Sequence, residues 1–341
     1  MKIIDRKFLN VTTPTCHAST IAFYKDKPIY AWFGGTREGL PDSAIYIQCG
    51  DKIATIGSED VTPRWNPILF PYKNDLFLFV KMGKFCDCWA TVIYNISNIF
   101  NEGCNISSLK PQILPAGLNG PTKTKPIVFN GFVYCGSSVE TCVDWSGCIE
   151  VYEVVKGLFE LVHRTHPIVI DKIAYKDFYG AQKLSQGIIQ PAIWFEKKSK
   201  TNSTFHAFFR SSRGLGKIYH SYYEYYKDPD DLKLDRVRRL YMTKPEPTKF
   251  DNPNSGIDTV YFDKRLFLVY NPSVDTRIPL VIHELDNDFD IKNEIVVKQA
   301  MDDDKTYSVE LSYPYMIEHD GRLHLTYTYG RSKIENVTIE V

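Results

Sequence analysis

The sequence predicts an all-β, six-bladed β-propeller, and three observations carry that expectation. One pattern recurs six times: a β-rich run, a short polar turn and a second β-rich run. The six starts fall 47 to 66 residues apart along 341 residues, the spacing of propeller blades. Aromatic residues reach 14%, with 22 Tyr and 20 Phe, a bias that suits pleated, half-buried strands. No segment carries the 3.6-residue period of a long amphipathic helix.

The six hairpins run in order from Ser19 to Gly34, Asn66 to Gly83, Lys125 to Ser138, Gln190 to Ser212, Gly256 to Ser273 and Tyr313 to Gly330. Each is followed by another β-rich run that would form an outer strand: SAIYIQ, WATVIYNI, CIEVYEVV, KIYHSYYEYY, PLVIHEL and IENVTIEV. The N-terminal run KIIDRKFL would pair into the last blade and close the ring, making residues 1–341 one propeller domain. A pair of β-sandwiches is the alternative, but no Gly/Ser-rich linker divides the chain.

Lys plus Arg equals Asp plus Glu at 41 each. No general field therefore points to nucleic acid or an anionic membrane. The N-terminus lacks a signal-peptide core and no stretch has the length of a membrane span. A cytoplasmic location is the default expectation, with secretion through a lost leader left open. All eight Cys lie in the first 148 residues without zinc-site spacing, and they read as reduced structural thiols. Five Asn-x-Ser/Thr sequons, at Asn10, Asn95, Asn105, Asn202 and Asn336, carry little weight without a secretory signal.

In a propeller the first strand of each blade lines the axis. Residues entering that strand and residues leaving the second one crowd one mouth of the central funnel. The first group contains His17, Arg64, Asn66, Lys123, Lys125, Gln190, Asn254 and Tyr313; the second contains Arg37, Asp42, Lys81, Glu140, Arg210, Arg277, Tyr329 and Arg331. Several cations, a few carboxylates and a tyrosine would converge there. Such a set suits an anionic ligand, because guanidinium groups grip carboxylates bidentately.

The segments CHASTIAF, AWFGGTREGLPDSAIY, RWNPILF, GPTKTKPIV, GIIQPAI, FFRSS, NPNSGID, YNPSVDTRIPL and SYPYMIEHDGRLHLTYTYGRSKI resemble the sialidase superfamily, in particular its BNR-repeat-like branch, over nearly the whole chain. The resemblance implies a Tyr nucleophile assisted by a Glu, an Asp acid/base and three Arg that hold a substrate carboxylate. Carried over, Tyr313 would be the nucleophile, Asp42 the acid/base, Arg210 and Arg277 two of the carboxylate-binding residues, and Arg37 a substrate contact. The sequence departs from the pattern at two of these positions. His17 stands where the first Arg is expected and Gln190 where the Glu is expected, leaving Glu140 as the substitute carboxylate, with Glu310 the other candidate. Asp-box turns are effectively absent, Leu285 to Asp290 being at best a relic.

A neutral phenol avoids the repulsion that an anionic nucleophile meets at an anomeric carbon bearing a carboxylate, and it needs a base. The leading expectation is an exo-acting glycoside hydrolase that removes a terminal, acidic sugar from a glycan or glycoconjugate. One alternative is a carbohydrate-binding propeller without catalysis; another is a uronic-acid lyase using His17 and Tyr313. Arg64, Asn66, Lys125, Asn254, Tyr329 and Arg331 complete the expected substrate-binding set. None of these readings requires a metal or cofactor, and the oligomeric state is left open.

Overall fold

The computed structural model describes every residue except 58–60, 103, 105, 200–201, 227–236, 238 and 302–307. The sequon at Asn105 and the turn of the fourth hairpin at 200–201 lie outside the described residues. Six four-stranded antiparallel sheets form the blades. Blade 1 comprises Thr15–Tyr24, Lys27–Gly35, Ala44–Cys49 and Lys52–Ile56; blade 2 comprises Arg64–Tyr72, Asp75–Met82, Ala90–Asn95 and Gln112–Ile113. Blade 3 comprises Ile127–Phe129, Phe132–Glu140, Trp145–Val155 and Leu158–Arg164; blade 4 comprises Ile188–Lys197, Asn202–Ser211, Lys217–Tyr226 and Glu246–Asp251. Blade 5 comprises Asp258–Phe262, Arg265–Tyr270, Leu280–Leu285 and Ile291–Lys298.

Blade 6 takes Leu311–His319, Arg322–Tyr329 and Lys333–Glu340 from the C-terminal end and its fourth strand, Lys2–Phe8, from the N-terminus. The two chain ends pair antiparallel from Lys2 opposite Glu340 to Phe8 opposite Glu335. The architecture is the six-bladed propeller that the hairpin spacing predicts. The runs expected as outer strands are third strands, and a fourth follows each of them in blades 1 to 5.

Alternation along the strands sends one face of each blade into its neighbour. Ala22, Ala31, Ile45, Leu69, Leu78 and Val80 pack between blades 1 and 2; Tyr134, Ile149, Ile193, Phe205 and Phe209 pack between blades 3 and 4. Val269, Ile282, Met316 and Leu325 do the same between blades 5 and 6. Burial of these side chains at about 1.5–3 kcal/mol each holds the ring rigid around its axis. All eight cysteines are free thiols. Among the described residues no helix is long and apolar enough to cross a membrane, and no group of three or more His, Cys, Asp or Glu is placed to hold a metal ion.

Four of the six inner strands share one irregularity. Their ladders slip between His17 and Thr20, Trp65 and Ile68, Ile189 and Ala192, and Ser312 and Tyr315. Within each slip one residue is left-handed: Ala18 (φ 51°), Asn66 (38°), Gln190 (54°) and Tyr313 (52°). Asn254, four residues before the inner strand of blade 5, repeats it at 59°. A bulge re-aims its side chain and frees one backbone position from the ladder. Pro67, Pro191 and Pro314, which directly follow three of these residues, occupy such freed positions.

Between blades 3 and 4 a separate two-stranded hairpin, Ala174–Lys176 with Gln182–Leu184, stands outside the blades. The hairpin periodicity gave no sign of it, because its strands are three residues long and exposed on most positions.

Candidate active site

The bulges of blades 4 and 6 and the left-handed residue before blade 5 turn Gln190, Tyr313 and Asn254 toward one guanidinium. Arg210, buried at the end of the second strand of blade 4, donates from Nη1 to Tyr313 Oη at 2.7 Å and to Gln190 Oε1 at 3.0 Å. Its Nη2 donates to Asn254 Oδ1. The Arg210 carbon also lies 5.4 Å from the Tyr313 ring centroid and 5.5 Å from that of Trp145.

Two further guanidiniums follow from blades 5 and 6. Arg277 donates to the Asn254 carbonyl at 2.8 Å and to Glu310 at 3.3 Å, with its carbon 5.9 Å from the Tyr313 ring. Arg331 donates from Nε to Glu310 Oε1 at 2.9 Å and pairs with Glu38 through Nη1. Glu310 also accepts from Ser312 Oγ at 2.7 Å. Glu310 therefore braces both cations, and sequence reasoning gave it only as a possible charge donor to Tyr313. Its signal was thin: an acid two residues before a buried Ser at the start of an inner strand. A guanidinium carries five N–H groups, so each of these three keeps donors beyond the contacts named.

Lys123 forms part of the floor. Its Nζ donates to the Pro314 carbonyl at 2.6 Å and lies 5.8 Å from the Tyr313 ring centroid. Burial pushes its pKa down to about 7, with Lys125 and Arg210 acting in the same sense against Asp258. Gly256 makes this packing possible: a Cβ there would sit 3.3 Å from Lys123 Cε and 3.4 Å from Tyr313 Cα.

His17 is 2% exposed and stacks obliquely on Tyr313 with centroids 4.1 Å apart. Among the described residues neither ring nitrogen has a hydrogen-bond partner, and Nδ1 is 3.9 Å from Glu310. Burial, reinforced by the charges of Arg331, Arg277, Arg210 and Lys123, holds its pKa well below the usual imidazole range. His17 is therefore neutral at physiological pH, with a donor and an acceptor to offer. It lines a recess of about 280 Å³ with Phe33, Arg37, Glu38 and Arg331; a second, of about 400 Å³, lies beside Arg213, Asn254, Arg277, Glu310 and Arg331.

The two carboxylates expected to do chemistry stand apart from Tyr313. Glu140 is buried and accepts from Gln190 Nε2 at 3.0 Å, so it meets the tyrosine only through Gln190 and Arg210. Burial raises its pKa, opposed by Arg210, by the Gln190 bond and by Lys81. Asp42 lies exposed on the loop after the second strand of blade 1, accepting from the Thr36 amide at 2.7 Å. The hydrogen bonds from Thr36 hold its pKa below the usual carboxylate range.

Five other expected residues lie outside this cluster. The Arg64 side chain runs against Gly57 and donates to the Thr62 carbonyl at 2.9 Å. Lys125 is bound to both oxygens of Asp258 at 2.8 Å and lines an apolar cavity of about 500 Å³ further along the axis, among Phe23, Phe129, Phe195 and Tyr315. The Tyr329 ring packs edge-on against Phe8. Asn66 is the buried bulge residue of blade 2. Lys81, at the end of the second strand of blade 2, is spent internally on Thr91 and Asn119.

Comparison with known proteins agrees with the propeller fold. The sequence matches the BNR repeat-like domain over residues 28–325. The chain belongs to the BNR repeat-like family. Among solved structures, this BNR-repeat protein is similar to the sialidase of Trypanosoma rangeli in complex with the inhibitor DANA, at 10% identity and a TM-score of 0.58, covering 96% of this chain and 55% of the sialidase. It spans just over half that sialidase's length. It is also similar to a subtype N10 neuraminidase-like protein from a little yellow-shouldered bat isolate of Guatemala, at 7% identity and a TM-score of 0.54, with 100% of each chain covered. A second bat neuraminidase-like protein from Guatemala matches at 8% identity and a TM-score of 0.54, over 99% of this chain and 95% of the other. No curated protein matches the sequence. The fold is thus sialidase-like, and at these identities the structural likeness speaks to fold alone.

Proposed function

We propose that this BNR-repeat protein is an exo-acting glycoside hydrolase that takes a terminal, acidic sugar into the funnel by its carboxylate. One observation carries the reading: Arg210, Arg277 and Arg331 converge around Tyr313, with Arg210 donating to the phenol oxygen. Glu38 and Glu310 balance Arg331 and part of Arg277. The remaining positive charge therefore sits at the Arg210–Arg277 side, where a monoanion gains most. Tyr313 Oη would attack the anomeric carbon while Asp42, its carboxyl protonated once the sugar buries it, gives that proton to the departing glycosidic oxygen. Asp42 would then take a proton from the water that frees the sugar from Tyr313. The Arg210 hydrogen bond would stabilise the phenol oxygen as it loses its proton, through water at the open mouth, to the Glu310 carboxylate. Asp42 would first have to exchange its Thr36 hydrogen bonds for contact with the sugar.

A second reading rests on Gln190. Its amide cannot accept a proton, and among the described residues no carboxylate is hydrogen-bonded to Tyr313 Oη. This favours a propeller that binds the same acidic sugar without cleaving it. Both readings share the carboxylate clamp, and isothermal titration with an acidic sugar and its uncharged carboxamide tests it. The acid should bind and the amide should not; equal binding of the two would remove the clamp from the account.

A further inference from the structure

The hairpin between blades 3 and 4 carries an unusual tip. Phe178 is 91% exposed and Tyr179 is 90% exposed, their rings edge-to-face at 5.4 Å. The turn beneath them is locked: Asp177 Oδ1 accepts from the amides of Tyr179 at 3.0 Å and Ala181 at 2.9 Å, and Gly180 adopts φ 79°. The apolar surface continues along the hairpin through Ile173 and Leu184, both exposed. Two large rings displayed together in water on an ordered turn contribute nothing to the core and leave their faces open to a ligand.

The hairpin stands beside the funnel mouth. It leaves blade 3 after the fourth strand and ends just before the inner strand of blade 4, the end at which Gln190 sits. At its root the Trp145 amide donates to the Gln186 carbonyl at 3.0 Å, and Trp145 is the ring that packs on Arg210. On its other side Tyr175 abuts Gly214, where a Cβ would come within 2.5 Å of the ring, next to Arg213 of the recess containing Asn254 and Arg277. The base of the hairpin that carries the aromatic tip is thus tied through two short routes to the residues that surround Tyr313.

We infer that the Phe178–Tyr179 tip is a platform for the part of a glycan that trails out of the funnel behind the terminal acidic sugar. This rests on the proposed binding of that sugar. A chain whose last residue lies in the funnel must leave across the rim, and sugar rings present apolar C–H faces that stack on exposed aromatics. The hairpin from Asp171 to Leu184 mixes Asp171, Asp177, Lys172, Lys176 and Lys183, without the polybasic cluster that an anionic bilayer selects. The preferred ligand is therefore an oligosaccharide with neutral sugars next to its acidic end.

The test compares two probes on the full chain by titration calorimetry: N-acetylneuraminic acid alone, and the same acid at the end of lactose. The double variant Phe178→Ala/Tyr179→Ala should weaken the trisaccharide about fivefold to tenfold and leave the free acid unchanged, and Phe178→Trp/Tyr179→Trp should restore it. Equal effects on both probes, or none on either, overturn the platform. Failure of both probes to bind the parent protein overturns the funnel reading and the platform with it. Loss of vesicle binding or of a dimer in the double variant, with trisaccharide affinity intact, assigns the tip to a membrane or a second copy and also overturns the proposal.

Discussion

Arg210 and Tyr313 come from blades 4 and 6, 103 residues apart, yet are joined by one 2.7 Å hydrogen bond in which the guanidinium is the donor. The same guanidinium holds Gln190 and Asn254, so three left-handed residues are registered on one planar fork. An ammonium cannot reproduce that geometry. Arg210→Lys should reduce affinity for an acidic sugar about 10- to 100-fold, the worth of a charged hydrogen bond, as read by calorimetry. Unchanged affinity would mean that another group anchors the carboxylate.

Gln190 and Glu140 form a pair whose behaviour depends on pH. Burial raises the Glu140 pKa, so its contribution to stability is full below the ordinary carboxylate value of about 4.3 and is lost as pH rises through the raised value. Glu140→Gln should therefore gain stability relative to the parent as pH rises from acid to neutral, in urea midpoints. Gln190→Glu would set a second carboxylate about 3 Å from the first, where both cannot ionise freely. It should lose stability on the same rise, and Gln190→Glu/Glu140→Gln should recover it. A flat difference across that range would show that Glu140 does not titrate there.

Lys123 gives the funnel a pH-dependent charge. With its pKa held at about 7 by burial, it is protonated below neutrality and neutral above. An anion bound near Tyr313 prefers the protonated form. Affinity for an acidic sugar should fall as pH rises through about 7, and Lys123→Met should abolish that step. A step that persists in Lys123→Met would assign the titration to another group.

The left-handed bulges predict an unusual response to glycine. Ala18 sits at φ 51° and is buried, where an L side chain costs about 1–2 kcal/mol. Ala18→Gly relieves that and loses about 0.8 kcal/mol of methyl burial, so stability should hold or rise. Ala31→Gly, on the adjoining strand of the same blade, should lose about 1–2 kcal/mol. Equal losses in denaturant titrations would contradict the strain assigned to the bulge.

The propeller was legible because strand period, turn chemistry and blade spacing all report on backbone pairing, which is local and repeats six times. Arg210, Gln190, Asn254, Arg277 and Tyr313 were legible as a group because each either enters the inner strand of its blade or leaves the second one. What the sequence did not carry was direction. Arg64 opens the inner strand of blade 2, but its side chain lies against Gly57, and Lys125 is bound to Asp258. Glu140 reads as a partner for Tyr313 and is separated from it by the Gln190 amide. The Phe178–Tyr179 hairpin escaped because it belongs to no repeat. Its tie to the funnel, through the Trp145 amide and the Trp145 ring on Arg210, exists only once blades 3 and 4 are folded together.

The most direct test of the central claim is the release of a terminal acidic sugar from a defined oligosaccharide panel, followed by mass spectrometry for the parent protein and Tyr313→Phe side by side. The account predicts release of one acidic terminal sugar by the parent, none from neutral-ended glycans, and retained binding without release by Tyr313→Phe. Release at equal rates by both proteins, or no release by a parent that still binds the acid, would contradict the hydrolase; the second result would leave the funnel as a binding site.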